Sequence, residues 1–77
     1  MTYQVTYMDQ FKGRFEMPAD FHINDILPKC VDMGWIPAED ARELTTMMST
    51  EIDFYFTKFG TDEVVGRATQ VRSYPLR

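Results

Sequence analysis

Residues 51–59 read Glu-Ile-Asp-Phe-Tyr-Phe-Thr-Lys-Phe, and this stretch constrains the fold more than any other. Ile52, Phe54 and Phe56 recur at period two, with Glu51, Asp53, Tyr55 and Thr57 between them. That alternation marks a strand with one dry face and one wet face. Covering three large apolar groups is worth roughly 5–8 kcal/mol. In a chain of 77 residues that is a large share of the driving force, so the remaining elements must be arranged to cover this face.

The segments before and after it supply more strand. Over 2–8, Tyr3, Val5 and Tyr7 alternate with Thr2, Gln4 and Thr6, and β-branched and aromatic types dominate. Turn formers occupy 9–13, with Gly13 free to take a left-handed backbone conformation. Phe11, Phe15 and Met17 then point to a second strand beginning at Phe11 or Arg14 and closing a hairpin. Pro18 ends it for want of an N–H. After the strand at 51–59, Gly60-Thr61-Asp62-Glu63 reads as a turn and 64–71 as the last strand. There Val65, Arg67, Thr69 and Val71 share one face. Gly66 and Ala68, on the other, are small enough to admit a helix. Residues 72–77 read as a short tail.

Between the hairpins the pattern turns helical. Asn24 is the expected N-cap, with Asp25 where a negative charge suits the helix dipole. Pro28 falls near the end of the first turn, where its missing N–H is tolerated. Ile26, Leu27, Cys30, Val31 and Met33 form an apolar stripe, and Gly34 is the expected stop. Trp35 is expected to plug the core between two helices. The second helix is expected from Pro37 to Met48 or Ser49, because Ala41, Leu44, Met47 and Met48 fall on one helical face. The expectation is therefore one domain over residues 1–77 of α+β class, ordered ββααββ: a four-stranded antiparallel sheet with two helices on one face.

A core of this size buries roughly 60–65% of the unfolded chain's surface, with no visible staple. A single cysteine excludes an internal disulfide, and one His with one Cys cannot assemble a structural zinc site. No metal or other cofactor is expected. No run approaches the length of a spanning helix, so the expected setting is cytoplasmic, without membrane contact. The net charge of −4 is unevenly spread. Residues 15–66 carry eleven acids against Lys29, Arg42 and Lys58, while Arg67, Arg72 and Arg77 close the chain.

Catalytic groups are sparse. His22 and Cys30 could form a dyad if the loop before the first helix folded back, but no third group orients them. Glu39 and Glu43, at i, i+4, read as helix-surface charge in the absence of a cleft. No phosphate-binding glycine loop or nucleophile elbow is present, and the chain is not expected to be an enzyme.

Contact surfaces are better represented. Tyr55 and Phe59 lie opposite Ile52, Phe54 and Phe56, with Val65, Val71 and Tyr74 as possible neighbours and Lys58, Arg67 and Asp53 at the border. Tyr, Phe and Arg are the types enriched at interface hot spots. Covering that patch falls to a partner, to a second copy of the chain, or to the C-terminal tail. A second surface is acidic: Glu39, Asp40 and Glu43 on the expected second helix, with Asp62 and Glu63 at the turn. Arg14, Arg67 and Arg72 define the alternative, a small regulator contacting nucleic acid. The chain's overall acidity argues against it, because affinity for the backbone scales with the phosphates neutralised.

In size, acidity, compact α+β build and lack of catalytic residues, the chain resembles small proteins carried by bacteriophages and mobile elements, including anti-CRISPR proteins and inhibitors of host polymerases or nucleases. That resemblance implies a protein that binds and occludes a larger host protein or defence complex, acting by stoichiometry and not by catalysis.

Overall fold

The computed structural model describes residues 1–71. Alternating Tyr3, Val5 and Tyr7 build β1 (Thr2–Tyr7), which turns tightly through Met8 and Asp9 into β2 (Gln10–Glu16). A 3-10 turn at Ile23–Asp25 leads into α1 (Ile26–Asp32), and a single helical turn, α2 (Ala38–Ala41), follows. Three strands complete the chain: β3 (Leu44–Thr50), β4 (Asp53–Lys58) and β5 (Val64–Val71). The sheet is antiparallel throughout, in the order β2-β1-β5-β4-β3. The first and last strands thus pair at its centre.

Two expectations are corrected. The sheet has five strands, and the order is ββααβββ. The fifth strand comes from Leu44-Thr-Thr-Met-Met-Ser-Thr, expected as the second half of a helix. Thr45, Thr46 and Thr50 are stiff at χ1 and sit more easily on a pleated sheet than in a helix. Edge pairing with β4 satisfies the backbone of Thr45 and Met47, so the helix keeps one turn and the rest extends. Met47 and Met48, placed together on a helical face by their spacing, consequently point to opposite faces of the sheet.

The core lies between one sheet face and the helices. Tyr3, Val5, Phe15, Phe54, Phe56 and Ala68 contribute from the sheet; Ile26, Cys30 and Ile36 close it from the helical side. Tyr3 is its aromatic centre. Its ring lies 5.5 Å from Phe21 and 5.9 Å from Phe54, both edge-on, and 6.3 Å from Phe15, in the arrangements aromatic quadrupoles favour. Trp35 does not plug the space between helices. It is half-buried and stacks on Phe15 at 5.8 Å, above Gly13 of β2. Gly13 therefore serves the strand and not the turn: a Cβ there would stand 2.6 Å from the indole.

The expected N-cap shifts by two residues. His22 Nδ1 accepts from the Asn24 N–H at 3.1 Å, while the Asp25 carboxylate accepts from the His22 N–H at 2.9 Å, a reciprocal capping box. Gly34 ends α1 as expected. At φ +77° it donates to Val31, and Trp35 donates to Cys30, the paired bonds of a Schellman stop.

In β5 the register slips between Phe56 and Thr57 of its partner. The bulge turns Val65 into the core and leaves Val64 outside, so Val65 does not share the face of Arg67, Thr69 and Val71. Gly66 and Ala68 lie on the core side as expected. The close approach at Gly66, however, is made by Phe56, Tyr7 and the Thr6 backbone, not by a helix.

Candidate protein-binding surface

One end of the molecule gathers the β1–β2 turn, the β4–β5 turn and the α2–β3 junction. The hairpin register pairs Tyr7 with Gln10, leaving a two-residue loop with both φ values positive, +52° at Met8 and +64° at Asp9. Such loops favour Asn and Gly; methionine is a costly occupant. Met8 is nevertheless 61% exposed, and its N–H is tied to the Val65 carbonyl at 2.8 Å. The opposing turn is fixed by Thr61, whose hydroxyl donates to the Lys58 carbonyl and accepts from the Glu63 N–H. The Phe59 N–H donates to the Glu43 carbonyl at 2.7 Å, joining this turn to the end of α2.

Two shallow depressions meet at Met8. One, of about 440 Å³, lies on the sheet face that no described helix covers, between Thr6, Met8, Tyr55, Glu63, Val64 and Arg67. The other, of about 200 Å³, lies on the helix side between Tyr7, Met8, Asp40, Glu43, Leu44 and Lys58. Asp40 is close enough to Tyr7 that its charge adds to burial, the larger cause, in raising the Tyr7 phenol above its usual range. Lys58 is held by Glu63 at 3.8 Å, so a cation in this region already has an acidic partner.

Beyond that end, this face carries one row across all five strands: Met47, Tyr55, Arg67, Thr6 and Phe11. The Arg67 guanidinium lies 5.3 Å from the Tyr55 ring centroid and grips Asp53 through two bonds, Nε at 2.8 Å and Nη2 at 2.5 Å. Thr69 donates a third at 2.8 Å. The Arg67 bond holds the Asp53 carboxyl below its usual range, opposed by burial and assisted by Thr69. This cluster clamps β4 to β5 through side-chain bonds.

Of the acids expected at a surface, Asp40, Glu43 and Glu63 reach the rim of these two depressions. Asp62 shares a neighbouring groove with Tyr55, Met47 and Val64. Glu39 is exposed in the first turn of α2 and lines none of these three grooves. Tyr55 and Phe59 do not share one patch. Tyr55 is half-buried within the sheet row, whereas Phe59, 80% exposed, stands past the end of β4 beside Arg42 and Glu43. Met8 and Val64 were not expected. Tyr-Met-Asp-Gln at a strand end was the one signal for Met8, an apolar residue beside a turn former, and Val64 is turned outward by a bulge that its sequence does not announce.

The basic set is dispersed. Arg67 is engaged by Asp53, Arg14 lies two strands away in the row of Gln4, Thr69 and Asp53, and Arg72 and Tyr74 fall outside the described residues. His22 is exposed and committed to its cap, while Cys30 is fully enclosed with its thiol pushed up to about 12 by burial. No group of three His, Cys, Asp or Glu residues suited to a metal occurs among the described residues, nor any helix long and apolar enough to cross a membrane.

No protein-family model matches the chain, and comparison with curated proteins and with solved structures gives no match.

Proposed function

We propose that the chain is a non-enzymatic binding protein that occludes a larger host protein or complex, with its docking surface at the Met8 end. The observation that carries this reading is Met8 itself. A large apolar side chain is kept in solvent, in a left-handed turn position that a polar residue would fill at lower cost, and it bridges two depressions rimmed by acids. Strain retained at an exposed position points toward function. Methionine suits a contact of this kind because its unbranched, polarisable chain adapts to a partner's relief. The flanking Asp40, Glu43, Asp62 and Glu63 favour a partner surface bearing Lys or Arg, and complementary charge speeds encounter.

Capture from the native host with immobilised wild type, Met8→Asn, and a Glu43→Gln/Glu63→Gln double variant tests the reading. Each variant should weaken a specifically retained partner at least about tenfold, as loss of a hot spot does. Thermal stability should hold, or rise slightly for Met8→Asn. Undiminished retention by both variants rejects the surface. The nucleic-acid alternative draws less support, since Arg67 already has its anion. Salt-dependent oligonucleotide binding that is lost in Arg14→Gln would restore it.

A further inference from the structure

The two edges of the sheet are unlike. The β2 edge carries Lys12, Arg14 and Glu16, which discourage strand addition, while each edge strand has one irregularity in its ladder, between Val5 and Thr6 beside β2 and between Met48 and Thr50 in β3. The β3 edge, Leu44 to Thr50, holds no charge and no proline. Its side chains are largely in solvent, Met48 being 63% exposed. No backbone bond from outside the sheet reaches it among the described residues.

The ladder shows which backbone groups are left over. Gln70 donates to Ile52 across the Asp53–Thr69 pair. That pair is therefore non-hydrogen-bonded, and Asp53 turns its own N–H and C=O toward β3. By alternation Tyr55 and Thr57 do the same, meeting Met47 and Thr45. The bond from Phe59 to Glu43 continues the series. The N–H and C=O groups of Leu44, Thr46 and Met48 consequently point away from the sheet, a row of three donors and three acceptors at the edge.

We infer that this edge pairs with its own copy, β3 against β3 about a two-fold axis at Thr46, joining two sheets into one. A two-fold perpendicular to the sheet preserves which face each side chain occupies, so only registers with a residue at the axis are allowed. Centring on Thr46 pairs Leu44 with Met48 of the second copy and Thr46 with itself. Two bonds in each of the three pairs give about six backbone bonds, which use the outward groups of Leu44, Thr46 and Met48. Centring on Met47 sets Leu44 opposite Thr50, beyond the irregularity, and forms fewer bonds. With Thr46 at the axis the paired run, Leu44 to Met48, ends before the irregularity between Met48 and Thr50 and brings no charged residues together. Leu44 and Met48 then cover each other on the helix side. Thr46 Oγ1, the buried side-chain polar atom without a partner among the described residues, comes beside its own copy. This edge is distinct from the Met8 surface, so either inference can fail alone.

Sedimentation equilibrium of the full chain is expected to give twice the monomer mass. Thr46→Pro removes an outward N–H without touching the β4 ladder, and Met48→Lys places a charge at the seam. Both should halve the mass, and Met48→Lys guards against misfolding of the proline variant. Register is tested in a Cys30→Ala background by mixing Thr45→Cys and Met47→Cys chains under diamide. Those positions face each other about 4.5 Å apart in the proposed pairing, within disulfide reach, so the mixed dimer should dominate. A monomer at every concentration, an undiminished dimer in Met48→Lys, or preferential Met47→Cys self-crosslinking overturns the proposal.

Discussion

Asp53 is the residue whose chemistry most plainly outlives its position in the sequence. It sits on the wet side of a strand, yet it is almost enclosed and held by Arg67 and Thr69. Because its carboxyl is held below the usual range, the unfolded chain takes up this proton before the folded one does. The resulting stability is present above the unfolded value of about 3.9 and is lost as pH falls through the lowered folded value. Denaturant midpoints between pH 6 and 2 should therefore show an acid-side decline that Asp53→Asn flattens, and an unchanged slope would deny the clamp its role. Gly13 makes a second prediction. Adding a methyl drives a Cβ into the Trp35 indole, so Gly13→Ala should cost about 1–3 kcal/mol. It should also shift Trp35 emission as the ring moves off Phe15; an unchanged spectrum with unchanged stability would show that the contact is slack. Neither partner was legible beforehand, because sequence places Gly13 near a turn and says nothing of which ring crosses it.

At the scale of elements, what could be read in advance followed from periodicity, and what could not followed from competition between periods. Tyr3-Val5-Tyr7 and Phe54-Phe56 alternate over large side chains, which leaves one register that buries them; the first strand forms as expected, while the one expected over 51–59 spans 53–58 and leaves Ile52 half-buried in the preceding turn. Gly34 was equally legible, since a left-handed residue after an apolar helical stripe is a local instruction to stop. Replacing it with alanine should cost about 1 kcal/mol in thermal or urea unfolding, because alanine resists the +77° backbone that the paired Schellman bonds require. A loss below measurement error would show that α1 ends without them. Leu44 to Thr50 satisfied two patterns at once. Its apolar groups fit a helical face, while its threonines fit a strand, and the decision rests with the open edge of β4, which lies outside the segment itself. The candidate surface was divided in the same way. Asp40, Glu43, Asp62 and Glu63 were visible as exposed acids, but Met8 joined them through a tertiary meeting of two turns.

The whole molecule is closed by its first and last strands, with β1 paired to both β2 and β5. Separate halves should therefore not stand. Without β5 the β1–β2 hairpin keeps no bond to β4, and the β3–β4 hairpin loses one of the two neighbours that cover Phe54 and Phe56. Isolated two-stranded hairpins are marginal in water, so the helices would then have no continuous surface to cover. Unfolding should accordingly be a single transition. Urea titrations followed by Trp35 fluorescence, which senses β2, and by far-UV circular dichroism, which senses every element, should share one midpoint. Val5→Ala deletes buried groups at the centre of the sheet and should lower both curves together by about 2 kcal/mol. Were fluorescence to fall first while the dichroism persisted, the β3–β4–β5 meander would be standing alone, and the pairing of the chain's two outer strands would be decoration on a smaller fold.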